Sequence, residues 1–175
     1  MGAEELSAFL WRERRQLELL LFRLETQLCC LNSDDLQWLT FTAADLESAI
    51  ETLRVETLGL QVEAAAVAAA WGAPSDATLP ALAASAPAGI WSDLLQEHGS
   101  EMAGLVGRIR SARDANLGAL NTALEGLALK VHAAAMSPQP AEELALLTRQ
   151  AAAGHALELV QACAQPLVEE FLGLA

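Results

Sequence analysis

The sequence predicts an all-α fold: an elongated antiparallel helical bundle or coiled coil of three long helices, plus a short helix and a C-terminal helical tail. Three observations support this prediction. More than half of the 175 residues are apolar, and many of these are alanine, the strongest helix former. Strand-forming residues are sparse, with no tyrosine and four phenylalanines. An unbroken apolar repeat has a mean period of about 3.5 residues, which is typical of a helix packed along its length against another helix.

This repeat lies in the second predicted helix, which we place from Ser33 to Trp71. Ser33 is expected to cap it, because a serine side chain accepts a hydrogen bond from the first helical turn. Gly72 and Pro74 are expected to end it. We call the repeating positions, which lie alternately three and four residues apart, the seam: Leu36, Leu39, Ala43, Leu46, Ile50, Leu53, Thr57, Leu60, Ala64, Val67 and Trp71.

The first helix is predicted from about Glu4 to Leu31. Because the link Asn32–Asp35 is short, the first two helices are expected to be antiparallel neighbours. The apolar face of the first helix consists of Leu10, Leu17, Leu21, Leu24, Leu28 and Leu31. Phe9, Leu20 and Phe22 widen this face.

A short helix is predicted after Thr78, which can cap it, with Pro80 in its first turn. The third long helix is predicted from about Ile90 to Ala134. It contains five glycines, each of which weakens a helix by up to about 1 kcal/mol relative to alanine. This helix is therefore expected to depend on a partner for stability. The glycines are Gly99, Gly104, Gly107, Gly118 and Gly126.

The predicted domain organisation has three parts. Residues 1–134 form the helical bundle, residues 135–140 form a proline-containing linker, and residues 141–175 form an amphipathic C-terminal helix that Pro166 kinks or ends. We hypothesise that this tail folds back on the third long helix and covers its apolar face.

Charge and composition disfavour several classes of protein. The net charge is −13, and the two segments that hold most of the basic residues, 1–31 and 91–132, are nearly balanced by acids, so nucleic-acid binding is not expected. No run of eighteen apolar residues occurs, so membrane insertion is not expected. An odd number of cysteines, two of them adjacent, suits a reducing compartment. Glu4 and Glu5 stand where a secretory signal would be positively charged, so a cytoplasmic location is expected.

The sequence offers little for catalysis. It has no glycine-rich phosphate loop, nucleophile elbow or zinc-protease helix. Glu97, His98 and Glu101 could reach one ion on a helix surface, but no second cluster completes a ligand shell. We therefore predict no enzymatic activity, no cofactor and no metal.

Several motifs together resemble the flagellar export chaperones of the FlgN type, over about residues 6–132. The resemblance begins with Leu10-Trp11-Arg12-Glu13-Arg14 and continues through the run from Leu19 to Glu25. The segment from Trp71 to Leu79 is similar to the Gly-Pro-Thr-Leu loop of those proteins. Further matching positions are Trp38-Leu39, Ala44, Leu46-Glu47, Leu53-Arg54, Trp91, Leu94 to His98, Asn116, Leu117, Asn121 and Leu124.

The resemblance implies a cytoplasmic bacterial chaperone that acts without a cofactor. Such a protein binds the C-terminal helical segments of flagellar hook-associated (hook–filament junction) proteins, keeps them soluble and delivers them to the gate and ATPase components of the flagellar type III export apparatus. In this family the third long helix is associated with cargo. We therefore predict a cargo-binding stripe that comprises Leu105, Ile109, Leu117, Leu120, Leu124, Leu127 and Val131.

Two alternatives follow from the residues themselves. One is a non-enzymatic structural coiled-coil adaptor that self-associates through the seam. The other is a secreted helical hairpin with a Trp-x-Gly turn, which the spacing of Trp71-Gly72-Ala73 and the length of the chain disfavour.

Overall fold

A computed structural model describes residues 2–136 and 139–174 and confirms the all-α fold with three long helices. Residues 137 and 138 of the predicted linker lie outside the described residues. No strand occurs in the described ranges. The elements are α1 (Gly2–Asn32), a 3-10 turn (Leu36–Trp38), α2 (Leu39–Trp71), α3 (Leu79–Ser85), α4 (Trp91–Ala135), α5 (Pro140–Ala162) and α6 (Pro166–Phe171).

The chain forms two compact units, and α1, α2 and α4 each contribute to both. Unit 1 comprises Met1–Leu20, Ala49–Ile109 and Gln165–Ala175, and unit 2 comprises Leu21–Ser48 and Arg110–Ala164. The domain organisation predicted from the sequence, with boundaries at residues 134 and 140, is placed at helix ends along the chain. It stays a prediction.

Unit 1 packs α1 antiparallel to α2. Phe9 lies against Gly59, where a Cβ atom would come within 2.7 Å of the phenyl ring, so a larger residue at position 59 would displace the Phe9 side chain. One helical turn further along α1, Glu13 is hydrogen-bonded to Thr57. The contacts advance along α1 while they retreat along α2, as the predicted antiparallel pairing requires.

The short helix α3 of unit 1 begins as predicted. The backbone N–H of Ala81 donates to Thr78 Oγ1 at 3.4 Å, so Thr78 is its N-cap. Pro80 lies in the first turn, where its missing N–H leaves no helical hydrogen bond unmade.

Unit 2 contains a buried polar network around Asn116. Asn116 interrupts the apolar face of α4, and its amide group donates to the carbonyl oxygens of Leu24 (2.9 Å) and Ala112 (2.8 Å). Its side-chain oxygen accepts from Gln27 Nε2 at 3.1 Å. Because these bonds satisfy the amide, Asn116 and Gln27 can both be fully buried between α1 and α4.

The seam forms part of the core, as predicted. All of its members are buried except Ile50 and Trp71, which are half-buried. Burying each leucine of this kind stabilises the fold by about 1.5–3 kcal/mol.

The prediction that Ser33 caps the second helix is wrong. Asp34 adopts a left-handed conformation with φ of 55°, so the chain closes α1 here instead of starting α2. The Ser33 hydroxyl donates to the carbonyl oxygen of Cys29, and the Asp35 N–H donates to that of Cys30. The second helix therefore begins with the 3-10 turn, and its α-helical part starts at Leu39.

The tail holds two helices where one was expected. After α5 ends at Ala162, Pro166 occupies the first turn of α6, where proline is tolerated. In unit 2, Arg113 of α4 contacts the end of α5: its Nε donates to the carbonyl oxygen of Val160 at 3.1 Å, and its Nη2 to that of Gln161 at 3.4 Å. Whether the tail covers a cargo surface stays a prediction.

Candidate functional site

The seven residues of the predicted cargo-binding stripe are divided between the two units. Leu105 and Ile109 lie in unit 1 and are buried. The other five lie in unit 2: Leu120 and Leu127 are buried, whereas Leu117, Leu124 and Val131 are half-buried. Most of the stripe is therefore core in the free protein, and the three half-buried side chains are its most accessible members.

Unit 2 has a concave groove beside α4. It encloses about 650 Å³ and lies between α4 and the end of α1. We call it the α4 groove. Its α4 wall consists of Ala115, Gly118, Ala119, Thr122, Ala123, Gly126, Leu127 and Lys130, and its other wall of Leu28, Leu31, Asn32, Asp34 and Leu36. Of the predicted stripe, only Leu127 lines it.

Small side chains keep the α4 wall open. A Cβ atom built at Gly118 or at Gly126 would have no neighbouring atom within 4 Å. The alanines and the threonine between these glycines are also short, so a neighbouring chain could approach the α4 backbone closely. The opposite wall supplies apolar surface from Leu28, Leu31 and Leu36.

The groove exists because α1 ends before α4 does. In unit 2, Gln27 of α1 lies level with Asn116 of α4, to which it is hydrogen-bonded. From this level α1 continues for five residues to Asn32, whereas α4 continues in the same direction for nineteen residues to Ala135. At about 1.5 Å per residue, α4 extends roughly 20 Å beyond the end of α1.

A smaller, more polar cavity of about 190 Å³ adjoins the groove and shares Asp34, Leu36, Leu127 and Lys130 with it. This second cavity adds Asp35, Gln37 and Arg149. Within the described ranges neither Lys130 nor Arg149 forms an ion pair, although two aspartates line the same space. Lys130 is also the single lysine of the chain.

His98 is the buried histidine of the predicted Glu97, His98 and Glu101 group. His98 is buried edge-on against Trp11, with 5.1 Å between ring centroids, and neither imidazole nitrogen has a described hydrogen-bond partner. Burial, and to a smaller extent the charge of Arg14, lower the pKa of His98, while Glu97 opposes this shift. Across residues 2–136 and 139–174, no three His, Cys, Asp or Glu side chains are placed to hold a metal ion.

Glu13 is the most perturbed carboxyl group of unit 1. It is fully buried, and burial raises its pKa to about 7 from the usual 4.5, with a further increase from Glu56. A hydrogen bond with Thr57 opposes this shift. The carboxyl lies inside the α1–α2 packing, away from any described cavity, so its role concerns stability.

Sequence reasoning missed the α4 groove, although its pattern is visible. Small residues recur at alternate spacings of three and one along α4, and Gly118 and Gly126, which weaken the helix, also leave space beside it. What the pattern could not show is that α1 stops at Asn32, beside the groove. That depends on the register between two helices distant in sequence.

No protein-family model, curated protein or solved structure matches this chain. None of the described helices is long and apolar enough to cross a membrane.

Proposed function

We propose that this protein is a cytoplasmic export chaperone that binds the C-terminal helical segments of flagellar hook-associated proteins. It keeps these segments soluble and delivers them to the gate and ATPase components of the flagellar type III export apparatus. It acts by binding alone, without a cofactor. The observation that supports the proposal is the α4 groove, an open apolar channel on the long helix that the resemblance associates with cargo.

The groove has the features that helix recognition needs. Amphipathic helices bind in apolar grooves through side chains three and four residues apart, and such binding shields the apolar face of the helix from water. The net charge of −13 suits this task, because like-charged complexes repel each other and stay in solution.

The direct test uses C-terminal segments of hook-associated proteins. Each segment is titrated into the full chain by calorimetry, and its solubility is measured with and without an equimolar amount of the chain. The proposal expects saturable binding and increased solubility. It is contradicted if no hook-associated segment binds while the chain is folded.

A second candidate function, the self-associating adaptor, is favoured by one feature of unit 1. Val55, Leu58 and Val62 are spaced three and four residues apart on α2, and each is more than half exposed. They form an apolar face that a second copy of the chain could cover. The seam itself packs inside the protein, so self-association would use this outer face. Sedimentation of wild type and Leu58→Glu over a dilution series decides: a dimer that the substitution dissociates favours the adaptor.

A further inference from the structure

We infer that the α4 groove binds one cargo helix laid along α4 beyond the end of α1, with large aliphatic side chains entering over Gly118–Gly126 and a carboxylate meeting Lys130. This inference rests on the proposed function, because it takes the helix to come from the cargo.

The shape of the groove selects a helix. The α1–α4 packing of unit 2, which includes Asn116, ends where α1 ends. Along the groove, Gly118, Thr122 and Lys130 of α4 are exposed, whereas Leu127 is buried. A helix bound there would extend an interface that the chain already makes. The groove runs along α4 from Ala115 to Lys130, roughly 22 Å at about 1.5 Å per residue, which accommodates about four helical turns.

The lining selects large side chains. The α4 wall is made of glycine, alanine and threonine over most of its length, so the volume that interdigitation requires has to come from the ligand. Leu28, Leu31 and Leu36 form the opposite wall and would pack against aliphatic groups. A ligand helix with leucine or a similar residue at positions i, i+4, i+7 and i+11 fits this arrangement.

The charges select an acidic group near one end of the helix. Lys130 and Arg149 bring two cations to the end of the groove, in a protein whose net charge is strongly negative. Neither cation has an ion pair within the described residues, so each is available to a carboxylate of the ligand. Asp34 and Asp35 line the same end and would repel a carboxylate placed beside them. The carboxylate of the ligand therefore has to lie next to Lys130 or Arg149.

Filling the groove tests the inference with a matched control. Gly118→Leu places a large side chain in the groove, whereas Gly104→Leu makes the same change on the same helix in unit 1, away from it. A Cβ atom has no neighbour within 4 Å at either glycine, so neither variant is expected to unfold. We expect Gly118→Leu to weaken binding of the cargo segment by about tenfold to a hundredfold, and Gly104→Leu to leave it unchanged. Equal affinities of the two variants would overturn the inference.

Lys130 provides an independent readout, because it is the single lysine of the chain. Its acylation by an N-hydroxysuccinimide ester, followed by mass spectrometry, reports whether the end of the groove is covered. The probes are a hook-associated C-terminal segment, a model helical peptide with leucine at i, i+4, i+7 and i+11 and one terminal glutamate, and the same peptide with alanine in place of the leucines. We expect the first two to slow acylation and the alanine peptide to leave it unchanged.

The outcomes separate this inference from the proposed function. If the cargo segment does not bind but the leucine peptide protects Lys130, the groove binds such helices and the flagellar assignment fails. If the cargo segment binds without protecting Lys130, and Gly118→Leu binds it as tightly as wild type, the groove inference is overturned and the chaperone function stands. Protection that rises with protein concentration and needs no peptide would identify a second copy as the occupant, which also overturns the inference.

Discussion

Replacing Glu13 by glutamine should remove a specific pH dependence from the stability of the protein. Thr57 Oγ1 lies 2.6 Å from Glu13 Oε1 and 2.9 Å from the carbonyl oxygen of Leu53. A hydroxyl group donates a single proton. When Thr57 donates to Glu13, the hydrogen bond favours the charged carboxylate, but burial of the carboxyl group favours the neutral form more strongly.

The size and sign of the effect follow from the pKa. Burial raises the pKa of Glu13 to about 7 in the folded protein. In the unfolded chain the carboxyl group keeps its ordinary pKa of 4.5. Between these values the unfolded chain loses the proton while the folded chain keeps it. The contribution of Glu13 to the free energy of unfolding therefore falls as the pH rises from 4.5 to about 7 and is constant on either side of this range. At about 1.4 kcal/mol per pKa unit, the total loss is roughly 3 kcal/mol.

Urea denaturation of wild type and Glu13→Gln, followed by circular dichroism at several pH values, measures this contribution. Glutamine keeps the shape of the side chain and does not titrate. We expect the two proteins to have similar stabilities at about pH 4.5, and the variant to be more stable by about 3 kcal/mol at about pH 8. A stability difference that stays constant between these pH values would refute the reasoning.

Two further predictions concern the packing of the helices. Leu46→Asp should destabilise the protein by several kcal/mol, because it buries an unpaired charge. Ile50→Asp should destabilise it clearly less, because Ile50 is half-buried. Equal melting temperatures of the two variants would contradict this. Arg113→Met keeps an unbranched apolar stem but removes the hydrogen bonds to the carbonyl oxygens of Val160 and Gln161, so it should loosen the end of α5 by about 1.5–3 kcal/mol. Hydrogen exchange of the α5 amides checks this, and unchanged protection would show that Arg113 does not hold α5.

The parts of the fold that depend on local periodicity could be predicted from the sequence. The seam, the breaks at Gly72 and Pro74 and the cap at Thr78 each follow from a few neighbouring residues, and the structure agrees with them. Ser33 shows where such reasoning fails, because the left-handed conformation of Asp34 decides whether the serine closes one helix or opens the next.

The candidate site could be predicted only in part. Sequence and resemblance identified the helix that becomes α4, but they selected its leucines, of which Leu120 and Leu127 are core residues in unit 2. The open face lies on the small residues, and it is open because α1 ends at Asn32. Helix termini relative to distant helices depend on tertiary register, which apolar spacing does not contain.

Hydrogen–deuterium exchange of the full chain, with and without a saturating hook-associated C-terminal segment, tests the central claim most directly. The claim is that the α4 groove holds the cargo helix. We expect slower exchange in residues 115–130 of α4 and 28–32 of α1 when the segment is bound, and no change in residues 99–107, the other glycine-containing part of α4. Unchanged exchange in residues 115–130, with binding established by calorimetry on the same sample, would contradict the account.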